Sequence, residues 1–241
     1  MQLHIYKDAD DACNALAAWI AVLINKTLEV KESFTWALSG GETPKKLYQI
    51  LASDIYKEKI NWSRIHIFWG DERIVPFTDE RSNAKMAFDN LLDDVNIPSS
   101  QIHKIWTDVT PEESAKQYEN LLHQYFDNKQ TTFDLVLLGM GDDGHTLSLF
   151  PNAETLHDHQ SWVRADNVGQ KNMKRVTLMP DVVNRSAAVV FLITGDTKAK
   201  ILHEVIEDAA SQKYPSQRIQ PVNGELHWFL DEAAAKYLTN N

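Results

Sequence analysis

Cysteine is nearly missing: Cys13 is the single one in 241 residues. One thiol excludes an internal disulfide framework and any thiolate metal cluster. Its setting in DADDACNALAAWIAVLIN, with Leu16, Ala17, Ile20 and Ile24 at helical spacing, predicts a buried structural thiol. Positive charge is also short, since 24 Lys and Arg against 34 Asp and Glu leave a formal charge of −10. A broad nucleic-acid or anionic-membrane surface is therefore not expected. Any cations that meet an anionic ligand must be few and local. No apolar run approaches the roughly 18 residues of a membrane span. With no basic-then-apolar leader at the start, a soluble cytoplasmic protein is expected. Neither an H-E-x-x-H motif nor a Cys/His metal spacing occurs, and His157 and His159 in HDH read as a solvated loop pair. No G-x-S-x-G elbow frames Ser148, so no covalent nucleophile stands out. No metal and no organic cofactor is expected.

What is present is an alternation. Short apolar, β-rich runs recur at 3–6, 34–39, 65–69, 133–139, 188–194 and 226–230. Helical periodicity fills 9–25, 44–52, 82–92, 111–126 and 197–210 between them. Such alternation predicts an α/β layer structure with a mostly parallel sheet. LVLL and VVFLI are apolar on both faces, as central strands covered by helices must be. Thr43-Pro44 and Thr110-Pro111-Glu112-Glu113 carry the grammar of helix starts. With no repeat and no low-complexity linker, a single domain over 1–241 is expected. The stretch 152–175 is polar and irregular and reads as a surface excursion.

The residues that follow the strands carry the chemistry, because ligands of open α/β sheets sit beyond the carboxyl ends of the strands. SGGETP follows 34–38, GDERIVP follows 65–69, GMGDDGH follows 133–138, and TGDTKAK follows 188–193. In the first, Gly40 and Gly41 permit a tight turn, and Ser39 and Thr43 offer hydroxyls. Pro44 opens a helix whose N-terminus attracts anions. A plain strand–turn–helix joint would look the same. Arg73 offers a planar fork for a phosphate, or else a surface ion pair. Lys198 sits in a first helical turn, where the dipole disfavours a cation unless an anion is bound. Gly139, Gly141 and Gly144 allow backbone to pass close to a ligand. His145, two residues after Asp143, titrates near neutrality and can take a proton from water and return it to a leaving oxygen. A Cβ at Gly144 is expected to hurt chemistry more than folding.

These blocks resemble the 6-phosphogluconolactonases, within the superfamily of the glucosamine-6-phosphate deaminases. SGGETP, IFWGDERIVP with Ser82-Asn83, GMGDDGHTLSLFP, KRVTLMP, FLITGDTKAKIL and HWFLDEAAAKYL run in order from residue 37 to 238. TLSLFP after Asp143-Gly144-His145 favours the lactonase branch over the deaminases. Glu42 stands where the family usually has serine, and Met179 where it has threonine. The resemblance implies a three-layer α/β/α sandwich with a modified Rossmann-like, mostly parallel sheet. It implies hydrolysis of 6-phospho-D-glucono-1,5-lactone in the oxidative pentose phosphate pathway, without a cofactor. In that reading His145 is the general base, Asp143 orients it, and Asp71 is catalytic or binds sugar hydroxyls. Arg73, Lys198 and Arg175 hold phosphate beside Ser39, Gly40, Gly41 and Thr43, with Asn83, Gly141 and Gly144 completing the site. The partner is a small sugar-phosphate lactone, with no nucleic acid and no membrane, and the chain is expected to be a monomer or weak homodimer. An amino-sugar-phosphate deaminase and a non-catalytic sugar-phosphate sensor are the competing readings.

Overall fold

The computed structural model describes residues 1–151, 160–168 and 173–239. Six parallel strands form its main sheet: β1 (Gln2–Tyr6), β2 (Phe34–Leu38), β3 (Ile65–Trp69), β5 (Leu135–Leu138), β8 (Ala188–Ile193) and β9 (Glu225–Asp231). Their order is β1-β9-β8-β5-β2-β3. Every residue of β2, β5 and β8 is buried, which fits their unbroken apolar runs and their central places. Helices flank the sheet. α1 (Ala9–Val30) starts where Asp8 accepts hydrogen bonds from the N–H groups of Asp10 and Asp11. It buries Cys13, Leu16, Ala17, Ile20 and Ile24 on one face. By length and composition alone α1 could cross a membrane, although the sequence holds no long apolar run. Here that face is spent on the sheet and on α2 (Glu42–Leu51). α5 (Pro111–Phe126) begins as its sequence predicts, with Thr110 Oγ1 accepting from the Glu113 N–H.

Three expectations change. Thr43 does not cap α2: Gly41 does, at φ +109°, a conformation that glycine adopts without strain. The helix therefore begins at Glu42, and Thr43 Oγ1 lies 3.1 Å from Thr194 Oγ1. The stretch 152–175 is not wholly irregular, because it holds β6 (Val163–Val168) and the start of β7 (Met173–Leu178), which pair antiparallel. Together with β4 (Asp71–Arg73) they make a second, three-stranded sheet ordered β4-β7-β6. Residues 152–159, with His157 and His159, and residues 169–172 lie outside the described residues. The predicted helix 82–92 is a short α4 (Asn83–Ala87) that widens into a π-type turn over Phe88–Leu92. The two sheets are stitched at Gly70, whose N–H donates to Leu38 O at 2.9 Å and whose carbonyl accepts from Leu178 N at 2.8 Å.

Candidate active site

Chain order turns around between β2 and β5: β3 lies to one side of β2, and β5, β8 and β9 to the other. Such a switch point leaves a crevice at the carboxyl ends of the strands. A cleft of about 260 Å3 opens there. The β2 loop lends it Ser39, Gly40, Gly41 and Thr43, and the β5 loop lends it Gly141 and His145. Lys198 arrives from the loop after β8. The small sheet supplies the opposite wall through Asp71, Arg73 and Arg175, with Asn83 from α4.

After β5 the chain doubles back, and the Gly141 N–H donates to His145 O at 2.8 Å. This tight loop brings Asp143 onto His145. The ring Nδ1 stands 2.5 Å from Asp143 Oδ1, and the same oxygen accepts the His145 backbone N–H at 3.1 Å. A carboxylate only accepts, so Nδ1 carries the proton and Nε2 keeps its lone pair. Burial pushes the Asp143 carboxyl upward, but the hydrogen bonds from His145 outweigh it and hold the group below its ordinary value. Phe150 stacks on the His145 ring with centroids 4.4 Å apart, and the Arg175 guanidinium lies 5.7 Å from the Phe150 ring centroid.

The small sheet explains the opposite wall. Antiparallel register places Asp71 against Thr177 and Arg73 against Arg175. Asp71 is buried, with Oδ2 accepting from Ser148 Oγ at 2.5 Å and Oδ1 from Asn83 Nδ2 at 3.3 Å. Arg175 Nη1 donates to Ser148 Oγ at 3.3 Å and lies 3.8 Å from Asp71 Oδ2. Burial lowers the Arg175 guanidinium from its ordinary value; Asp71 and Glu72 oppose that, and Arg73 adds to it. Arg73 Nη1 donates to Arg81 O at 2.6 Å. The Nε atoms of Arg73 and Arg175 are buried without a hydrogen-bond partner among the described residues.

Asn83 owes its place to Glu72. This carboxylate, 1% exposed, accepts from the N–H groups of Arg73, Asn83 and Ala84 and from Ser82 Oγ, at 2.7 to 3.1 Å. It thereby caps the first turn of α4 and ties it to β4. Burial raises its carboxyl, the three backbone donors pull it down, and Asp71 raises it again.

On the β2 side the Tyr48 hydroxyl accepts from Ser39 N at 3.0 Å and donates to Ser39 O at 2.8 Å, which fixes the loop. A Cβ at Gly40 would fall 1.9 Å from Asn83 Oδ1, so glycine alone admits the asparagine. The Glu42 side chain is 92% exposed and lies 3.8 Å from Lys45, turned outward. As the first residue of α2, Glu42 also suits the positive end of that helix. Burial lowers the Lys198 ammonium, and Asp142 opposes that shift.

Among the residues singled out from sequence, Ser39, Gly40, Gly41, Thr43, Asp71, Arg73, Asn83, Gly141, His145, Arg175 and Lys198 meet in the one cleft. Asp143 and Gly144 do not line it. Asp143 acts on it through His145, whereas Gly144 is buried with φ +77° beneath Tyr214, its carbonyl accepting from Ser216 Oγ at 3.0 Å. Gly144 thus sits behind the lining as a turn and packing residue. Sequence reasoning missed Glu72, Phe150 and Tyr48, and weighed Ser148 only as a nucleophile, not as the partner of Asp71. Ser148 and Phe150 stood in TLSLFP beside the histidine. Nothing in the sequence showed that Glu72 is buried while Glu42 is not. Among the described residues, no three His, Cys, Asp or Glu side chains converge as a metal site.

The chain is 41% identical over 225 residues to a 6-phosphogluconolactonase of Synechocystis, covering 91% of this chain and 90% of that one. A 6-phosphogluconolactonase of Haemophilus influenzae is 37% identical, with 84% and 86% covered. In structure it superposes on 6-phosphogluconolactonase from Thermotoga maritima with a TM-score of 0.84 at 31% identity, over 95% of this chain and 99% of that one. A monomeric glucosamine-6-phosphate deaminase shares the fold alone, with a TM-score of 0.83 at 19% identity over 98% and 99%. Residues 7–228 match the family described as glucosamine-6-phosphate isomerases/6-phosphogluconolactonase, and with relatives this similar along nearly its whole length, the chain belongs to that family.

Proposed function

We infer that the protein is a 6-phosphogluconolactonase, hydrolysing 6-phospho-D-glucono-1,5-lactone to 6-phospho-D-gluconate in the pentose phosphate pathway. Curated relatives are named 6-phosphogluconolactonase. The observation that supports it best in this chain is the 2.5 Å contact between Asp143 and His145, on a cleft whose other walls bring Arg73, Arg175 and Lys198.

The chemistry follows from the proton inventory. With Nδ1–H committed to Asp143, Nε2 of His145 takes a proton from water as the water oxygen bonds to the lactone carbonyl carbon. The carbonyl oxygen becomes an alkoxide on a tetrahedral centre. As that centre collapses, the bond to the ring oxygen breaks, and the proton on Nε2 passes to it. The carboxylic acid product then ionises to solvent. Asp143 fixes the tautomer and stabilises the imidazolium between the two steps. The guanidinium groups of Arg73 and Arg175 on the cleft lining favour an anion on that wall, with Lys198 and the N-terminus of α2 beside it. Asp71 has one oxygen committed to Ser148, so it serves as a holder of Arg175 and Asn83 and offers Oδ1 to a sugar hydroxyl.

No observation favours the deaminase: its likeness extends to the fold alone, and TLSLFP follows His145. The bacterial relatives support a cytoplasmic enzyme here, whereas the rice relatives are named chloroplastic. The test is acid release from freshly made 6-phosphogluconolactone, above spontaneous hydrolysis, by the wild type and by His145→Ala. The variant should lose about 10²-fold or more in kcat with product affinity kept. Near-wild-type turnover in a folded variant removes the histidine from the mechanism. Ammonia release from glucosamine 6-phosphate would replace the lactonase reading altogether.

A further inference from the structure

A second cavity, of about 540 Å3, lies on the far side of the β4–α4 junction and is larger than the cleft. Alternation along β4 separates the two: Asp71 and Arg73 face the cleft, and Glu72 faces this cavity. Ile74, Val75, Pro76 and Ile105 form an apolar wall. Two aromatic side chains stand at its mouth in water, Phe77 at 39% and Trp106 at 44% exposed. Phe77 is fixed edge-on against Phe88 at 5.4 Å.

Its polar groups are few and unequal. Glu72 is spent on four donors and presents no free oxygen charge. Lys104 holds its ammonium 4.5 Å from the Phe77 ring centroid and 5.6 Å from that of Phe88, and it makes no ion pair among the described residues. Asp108 lies exposed on the lining and is not paired with Lys104. Apolar walls with a few placed polar groups, at this volume, are the features of small-molecule sites.

We propose that this cavity is a second binding site, for a small planar aromatic ring that carries one negative charge. The ring lies against Trp106 and the aliphatic wall, and the charge meets Lys104. Flat exposed aromatics select a flat partner. A single available cation selects an anion, and the carboxylate of Asp108 opposes a second negative charge. A hydroxyl-rich sugar phosphate does not suit it, since the cavity lacks the several donors and cations that the cleft provides.

Anilinonaphthalene sulfonate, a planar aromatic monoanion that fluoresces on burial, is the probe. It should bind the full-length protein saturably, one per chain, and stay bound under saturating 6-phosphogluconate. Lys104→Gln and Trp106→Ala should each weaken it about tenfold or more, the scale of one charged hydrogen bond or one stacked ring. Both side chains are exposed and outside the cleft, so both variants should keep native circular dichroism and lactonase activity. The proposal is overturned by an absence of saturable binding, by unchanged affinity in either variant, or by displacement of the dye by 6-phosphogluconate.

Discussion

Two glycines, Gly141 and Gly144, look alike in the sequence and do different work in the structure. A Cβ on Gly141 would lie 2.1 Å from His145 Nδ1 and 2.8 Å from Asp143 Oδ1. Those atoms are side-chain ends that can move aside, so Gly141→Ala should stay folded and displace the pair. Misplacement of about 1 Å can cost 10²-fold in rate, and a kcat loss of that order with an unchanged melting temperature is expected. At Gly144 the added Cβ meets the Tyr214 ring at 2.5 Å, and φ is +77°. Strain of about 1–2 kcal/mol and a displaced ring make Gly144→Ala a stability variant first. The expectation from sequence is the opposite, since there both read as ligand contacts. A Gly144→Ala protein with wild-type melting and no activity would restore that expectation. Lys198 supports a pH prediction. Burial lowers its ammonium, so it should lose its charge as pH rises while still below the ordinary lysine value of about 10.4. The product phosphate is fully charged well before that, its second pKa being about 6. Calorimetry of 6-phosphogluconate binding should therefore show affinity falling on the alkaline side in the wild type. Lys198→Arg keeps its proton and should stay flat. The same fall in both would free Lys198 of the role.

At the scale of elements, the pieces easiest to read were those whose sequence decides them locally. The apolar runs of β2, β5 and β8 and the Thr110-Pro111 start of α5 need no distant partner to be recognised. The small sheet was the opposite case. β4 is three residues long and charged throughout, and it is a strand only because β7 pairs with it. β6, with Arg164, Asp166 and Asn167, carries no clean alternation. Nothing local marks Glu72 as the acid that goes inside, yet its four hydrogen bonds join β4 to α4 and so place both Arg73 and Asn83. Glu72→Ala should leave the N–H groups of Asn83 and Ala84 buried and unpaired, each worth about 1–3 kcal/mol. Chemical denaturation should report the loss of stability. A rise in KM larger than the fall in kcat should report the loosened binding wall, and an unchanged KM would mean that α4 holds its position without the carboxylate.

Over the whole molecule, two sheets meet so that opposite functions face each other across one cleft. The parallel sheet brings Asp143 and His145, the pair proposed to move the proton, and the antiparallel one brings two cations. The first half was legible because strand ends of a parallel sheet converge by topology, which puts SGGETP and GMGDDGH together before any coordinate is known. The second half needed the register of β4 on β7, which sets Arg73 directly opposite Arg175. Like charges opposed across strands destabilise a sheet, and Arg73 indeed helps to lower Arg175. Asp71 offsets more of that shift than Arg73 adds, and a phosphate seated between the two guanidinium groups, as proposed, would relieve what repulsion remains, so stability and ligand binding should be coupled. At a 6-phosphogluconate concentration about 100 times Kd, binding alone adds about 2.7 kcal/mol. For a chain of this length that corresponds to roughly 5–10 °C in Tm. Arg73→Gln removes one of the opposed charges. Without ligand it should melt at or above the wild-type temperature, and it should lose most of the ligand-induced shift. Scanning calorimetry of both proteins, with and without 6-phosphogluconate, decides it. If the unliganded variant melts several degrees lower, Arg73 is a structural residue held by Arg81, and the repulsion is not a property of the folded state.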